Sequence, residues 1–404
     1  MMQAGAAAID ITPELPIPLA GFGSRQGTVT TEVADPLFLR VTVVESGDTA
    51  GAVVAADLLS WGPELVERLR PLVADALGVP AGCITFTATH THSAPQTAQW
   101  HAPILGPLDP RYIELLTDRV VAASAAASAA LEPVTVRRTS RLHDLGSYRR
   151  ADVEDGPRDN ELTTVTFRRA DGSLLAAWVH YTCHPVINAA NAVTPDFAGL
   201  ACTSLEAETG GVITYLQGCC GDQDPGSLAS TGLAAARREG ARLADTIRKT
   251  LADEGRELTP TAIKASWSTV ELPFRSVPTE YELRAASTRP GVEGEWGRFY
   301  LAHPERLRPT ATLVLQRLDL LEGLSLLALN AEACVEYGLA VRAATGNRCL
   351  PVAYANGIIG YLPTAAQIRA GGYEPVQSAR CYLLPGLFVP EVEGITLEEI
   401  RNML

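Results

Sequence analysis

The chain has 404 residues, 47% apolar and 20% charged, a balance that suits a soluble globular protein with a large core. Its formal net charge of −13 argues against nucleic acid and anionic membrane surfaces as partners. No stretch is apolar enough over sufficient length to span a bilayer, and Met1 to Pro13 lacks the pattern of a secretory leader, so a cytoplasmic location is expected. The eight cysteines, Cys83, Cys183, Cys202, Cys219, Cys220, Cys334, Cys349 and Cys381, include no CxxC pair and read as buried reduced thiols.

In chain order, Leu37–Glu45 and Gly51–Ala56 are β-branched apolar runs around the turn-like Ser46-Gly47-Asp48, which predicts a hairpin. Pro63–Leu77 sets Leu65, Val66, Leu69, Leu72, Val73 and Ala76 on one helical face, with proline at its start. A short strand is expected at Cys83–Ala88 and an Ala-rich helix at Arg111–Leu131. Val134–Thr139, Leu162–Phe167 and Leu174–Tyr181 read as strands, and Leu233–Leu251 as a second long helix. Strands return at Ala262–Glu271, Ala311–Leu320 and Leu324–Leu329, followed by a helix at Cys334–Thr345 and a strand at Leu350–Tyr354. Ser287–Gly294, with Pro290, Gly291 and Gly294, is expected to be a surface loop. The mixture predicts an α/β or α+β fold, with a sheet-built core and helices packed outside.

The strongest chemical signal is Ala88-Thr89-His90-Thr91-His92-Ser93-Ala94-Pro95, directly after a β-run. On an extended segment side chains alternate, so His90 and His92 should point the same way. Two imidazoles at a strand end suit metal binding, or one ligand beside one hydrogen-bond donor; a purely structural pair is the competing reading. Cys183-His184-Pro185 ends a second strand. Gln217-Gly218-Cys219-Cys220-Gly221-Asp222-Gln223-Asp224-Pro225 follows the run Val212–Leu216, and its glycines permit close backbone approach. Three strands ending in polar loops suit a site at one sheet edge. Glu332 closes another apolar strand just before a helix, where an acid is also a good cap. Tyr361 and Tyr373 lie in glycine-rich segments.

Taken in order, these segments resemble the neutral ceramidase family (neutral/alkaline, non-lysosomal). The resemblance opens with Ala8-Ile9-Asp10-Ile11-Thr12-Pro13 and Ala20-Gly21-Phe22-Gly23. It continues through Asp57, the specific Thr-His-Thr-His-Ser-Ala-Pro run, Tyr148-Arg149-Arg150 and His184-Pro185. Thr194-Pro195-Asp196-Phe197-Ala198-Gly199, Gln217 to Pro225, Glu332, Tyr361 and Tyr373 complete it, so that it covers nearly the whole chain. It implies one zinc hydrolase catalytic module over 1–404, with mixed sheets flanked by helices. It also implies zinc ligands at His90, His184, Glu332 and Tyr361, with His92, Arg149 and Tyr373 holding the scissile carbonyl and its developing charge. Arg150 is the alternative to Arg149 by a one-residue shift. The family's second tyrosine stands twelve residues after its ligand tyrosine, as Tyr373 does after Tyr361.

Such a ligand set makes chemical sense, because two imidazoles and a carboxylate are a usual catalytic zinc set with a position left for water. Asp57 and Asp196 are candidate partners that orient the histidines, with capping or turn roles as the alternative. Two departures stand out. The family serine in Gln-Ser-Asn-x-Gly-Asp falls on Gly218, with Cys219 a candidate substitute, and no immunoglobulin-like C-terminal domain is expected within 1–404. These point away from ceramide and toward a soluble small-molecule N-acyl substrate. The same residues would equally serve an esterase, a thioesterase or an acyl transferase. A zinc-binding protein without catalysis is a further alternative.

Overall fold

The structure, a computed structural model, describes residues 2–150, 153, 155–226 and 231–404. Its larger sheet runs in the order Val212–Gln217, Leu174–Tyr181, Glu161–Arg168, Glu132–Leu142, Met2–Asp10, Phe38–Ser46, Thr49–Ala56, Ile84–Ala88. The short strand Arg256–Glu257 adds to Glu132–Leu142 beside Met2–Asp10. Only the outermost pair at each end is parallel: Val212–Gln217 on Leu174–Tyr181, and Ile84–Ala88 on Thr49–Ala56. A second sheet takes Pro260–Pro273, Thr310–Leu321, Leu324–Leu329 and Cys349–Val352, the last two parallel.

The sheets pack face to face with helices on both outer sides. Val53, Trp178 and Leu216 of the first sheet meet Leu318, Leu326 and Val352 of the second in one buried cluster. Because side chains alternate along a strand, Val54 and Val179 point the other way. Val54 packs with Leu69 and Val120 of the helices Pro63–Leu77 and Pro110–Ala129, and Val179 with Leu205 and Leu243 of Asp196–Thr209 and Leu233–Ala252. The outer face of the second sheet is covered by Val335–Thr345 and Val392–Met403. The mixed α+β class, with sheets flanked by helices, is therefore as the sequence predicts. No helix among the described residues is long and apolar enough to cross a membrane.

The predicted elements are present with ends moved by a few residues, and the Pro63–Leu77 helix and the Leu174–Tyr181 and Leu324–Leu329 strands match end to end. Ser287–Gly294 is different. It is the junction of two packed helices, Glu280–Ser287 and Gly291–Ala302. Thr279 and Glu282 form a reciprocal cap at the start of the first helix, a pattern visible in the sequence as Thr-x-x-Glu. Gly294, within the segment, and Gly297, just beyond it, serve close packing: a Cβ would lie 2.0 Å from the Arg289 carbonyl oxygen and 2.6 Å from the Ser287 nitrogen, respectively, whereas Gly291 supplies a left-handed φ of 70°. The strand Met2–Asp10 has no counterpart in the sequence reading, because Ala- and Gly-rich segments have low strand propensity. It forms because all nine residues pair with Phe38–Ser46, and Gly5 lets the Pro110–Ala129 helix approach.

Candidate metal centre

The parallel strand ends converge on one point. Ile84–Ala88 leads to His90, Leu174–Tyr181 to His184, and Val212–Gln217 to the loop 218–224. The Gln217 amide ties the two histidine loops together, donating at 2.9 Å to the Thr89 carbonyl and at 2.9 Å to the Cys183 carbonyl, each one residue before a histidine. Buried Arg25 clamps the first loop, donating to the His92 carbonyl and, at 3.1 Å, to Ser93 Oγ. A separate two-stranded parallel ladder contributes Glu332 and Tyr361, which are direct Cα partners in it.

His90 Nδ1 donates to the Leu59 carbonyl at 2.6 Å, and a carbonyl can only accept, so the Nε2 lone pair is free. That Nε2 lies 3.2 Å from Glu332 Oε2. His184 Nε2 is 3.3 Å from the same oxygen and 3.5 Å from Tyr361 Oη. Burial dominates at His90 and outweighs the pull of Glu332, so its pKa is lowered and the imidazole is neutral. Burial pushes the Glu332 carboxyl up, but His90 and His184 together bring it well below its ordinary value. Two imidazole nitrogens thus face one carboxylate oxygen in a dry pocket, a donor set of the kind that can hold a cation. The spacings fit one: ligand atoms about 2.1 Å from a tetrahedral ion stand about 3.4 Å apart. His90, His92 and His184 form a group able to hold a metal ion, with ligand atoms all within 4.8 Å of one another.

His92 is half-buried, with its Nε2 3.2 Å from His90 Nε2. Burial, then His90 and His184, lowers its pKa well below the usual value and keeps it neutral. The expected period-two alignment of the two histidines is not what brings them together. His90 has φ 70°, a left-handed conformation, and the strand has already ended at Ala88. Arg149 lies 5.4 Å from the Tyr361 ring centre and 5.3 Å from that of Tyr373, and is held by Glu374 at 2.8 Å and Asp224 at 3.3 Å. Arg150 instead reaches Glu374 and the Gly371 carbonyl. Tyr373 is 43% exposed, though burial around its hydroxyl raises its pKa. Arg149, Arg150, Asp224, Tyr373 and Glu374 line a cavity of about 430 Å³.

Several residues that surround this point had no signal in the sequence. Tyr354 Oη lies 3.4 Å from Glu332 Oε2, and the Tyr382 hydroxyl donates to Glu332 Oε1. His101 packs on Tyr382 at 4.8 Å, and burial pushes its pKa down to about 4. Asp224 Oδ1 is the carboxylate nearest His184 Nδ1, at 3.7 Å. Asp57 and Asp196 do not contact the histidines. Asp57 accepts from Phe38 N and forms a buried ion pair with Arg40, neither a cap nor a turn, whereas Asp196 accepts from Asn188 N and Phe197 N, the turn role. Gly218 also looks elsewhere. A Cβ there would meet Thr182 Oγ1 at 2.1 Å and His180 Cε1 at 3.3 Å, so a serine would not face the histidine cluster. Cys219 packs on Gly338, whereas Cys220 lies on Tyr354 at 3.1 Å.

The fold is similar over its whole length to two solved structures. Neutral ceramidase from Pseudomonas aeruginosa matches with a TM-score of 0.78 and 20% identity, over 100% of this chain and 74% of that one. A ceramidase complexed with C2 matches with a TM-score of 0.79 and 19% identity, over the same shares. The neutral-ceramidase-like fold that the sequence implied is therefore present, and at such identities the likeness is one of fold. No family model and no curated protein matches the sequence.

Proposed function

We propose that this chain is a zinc-dependent hydrolase that cleaves the N-acyl bond of a soluble small molecule. The observation behind it is the meeting of His90 Nε2, His184 Nε2, Glu332 Oε2 and Tyr361 Oη at 3.2 to 3.5 Å, beside a wall of three donors. In this reading those four residues are the ligands. Bound zinc would polarise the scissile carbonyl and bring the pKa of a water to about 7.

The chain supplies the rest. Neutral His92 presents an Nε2–H, Arg149 a fixed positive charge and Tyr373 a protonated hydroxyl, and all three donate to the oxyanion as the carbonyl carbon becomes tetrahedral. Glu374 and Asp224 hold the Arg149 guanidinium over the tyrosine rings, so that little reorganisation accompanies the reaction. The Leu59 carbonyl fixes the His90 tautomer.

The likeness to the two ceramidases supports amide cleavage, while the charged lining of the cavity favours a polar substrate over a lipid. The test is turnover by the zinc-loaded protein of N-acyl amino acids, N-acyl amino sugars, short acyl esters and ceramide. Hydrolysis of a soluble N-acyl compound well above ceramide is the expected result. Comparable ceramide turnover would overturn the substrate class, and turnover of esters alone would overturn the bond.

A further inference from the structure

A second cavity, about 610 Å³ in volume, shares no lining residue with the one beside the metal centre, and its wall is built from arginines. It lies between the strands Glu132–Leu142 and Arg256–Glu257 and the turns at Gly323 and Gly346. Arg138, Arg141, Arg256 and Arg348 line it, with Glu161 as the one acid among its lining residues. In a chain of net charge −13 such a concentration of positive charge runs against the background.

The local register shows that it is not a by-product of ion pairing. Arg256–Glu257 pairs antiparallel with Arg138 and Arg137, Glu257 opposite Arg137 and Arg256 opposite Arg138. The first of these couples is a salt bridge at 3.0 Å. The second sets two like charges directly opposite each other, a destabilising arrangement on a ladder. Glu161, the one acid in the lining, offsets it only in part. Glu161 is already engaged by Asn347 at 3.0 Å and Arg342 at 3.4 Å, and Arg141 by Asp253 at 2.7 Å. Among the described residues the guanidinium groups of Arg138, Arg256 and Arg348 make no hydrogen bond or ion pair. Burial, and then Arg342 and Arg256 acting against Glu161, lowers the pKa of Arg138. Its charge is thus costly to hold without a counter-ion.

We propose that this cleft binds a phosphorylated small molecule, whose phosphoryl oxygens bridge Arg138 and Arg256 with Arg348 at the rim. Guanidinium forks match phosphate oxygens in pairs, and the cavity has room for more than one phosphate group.

Calorimetric titration of the full chain with pyrophosphate, at fixed ionic strength, tests this. One site per chain is expected, displaced by inorganic phosphate. Arg138→Gln and Arg256→Gln should each weaken it roughly ten- to a hundredfold. Because pyrophosphate also binds metals, His184→Ala serves as the control and should keep the full affinity. In phosphate-free buffer Arg256→Gln should melt no lower than the parent chain, since it removes a repulsion. Absence of binding, undiminished binding in both arginine variants, loss of binding in His184→Ala, or a lower melting temperature for Arg256→Gln without phosphate would each overturn the proposal. Binding to phosphatidate vesicles but not to pyrophosphate would overturn it as well.

Discussion

The two halves of the metal site are built by different means. His90, His184, Glu332 and Tyr361 are buried, come from two strand ends of the larger sheet and from a short parallel ladder, and are fixed by backbone partners: Leu59 O on the His90 ring, Gln223 O on the His184 backbone nitrogen, Gly360 O on the Glu332 backbone nitrogen. His92, Arg149 and Tyr373 are half-buried or exposed, the first two on loops and the third opening the helical turn Tyr373–Gln377, and are placed by side-chain ion pairs and ring contacts. A rigid, dry half suits groups that must meet at one point. A wetter wall suits groups that must touch a substrate as it enters. Damage to the first half should therefore cost metal and rate together, and damage to the second should cost rate alone.

The largest expected effect concerns the scaffold of the buried half. His180, on the strand that leads to His184, donates from Nε2 to the Pro351 carbonyl and accepts from Arg342. Burial, with Arg342 adding to it, pushes its pKa down to about 3. The folded state therefore resists a proton that the unfolded chain takes up near pH 6.5, so stability is full above that pH and falls as pH drops toward 3. The loss is at most about 5 kcal/mol. His101 and His143, both pushed to about 4, act in the same direction. Urea titrations from pH 7 to pH 4 should show a shallower pH slope for His180→Gln than for the parent chain, and equal slopes would contradict this assignment.

In the wall, Arg149→Ala and Tyr373→Phe should each lower kcat by roughly 10²- to 10³-fold, about 2.7–4 kcal/mol, with metal retained. Metal loss in either would erase the distinction between the halves. A smaller effect is expected from Tyr382→Phe, which deprives Glu332 Oε1 of its donor. Metal affinity should fall by about 10- to 100-fold, while kcat at saturating metal changes little. Competition with a chelator measures the first quantity and steady-state kinetics the second.

How much of this was legible in the sequence follows the same division. Leu174–Tyr181 could be read residue by residue because it is buried on both faces and so is apolar but for His180 near its end. Met2–Asp10 could not, since its pairing with Phe38–Ser46 overrides a weak local preference. The order of motifs named His90, His184, Glu332 and Tyr361, which the fold brings together, but the strand alternation invoked for His90 and His92 fails at a residue with φ 70°. Tyr382, fifty residues beyond Glu332, and Tyr354 carry no mark in the sequence, because their role depends wholly on where two loops return. Gly218 misleads for the same reason: only the packing of Thr182 shows where its side chain would point.

Zinc content and kcat measured together on the parent chain, His184→Ala, His90→Ala and His92→Ala test the central assignment most directly. About one zinc per parent chain is expected, with His184→Ala and His90→Ala losing both metal and rate. His92→Ala should keep its zinc and lose most of kcat. An emptied site in His92→Ala beside a full one in His90→Ala would reverse the two histidines and contradict the account.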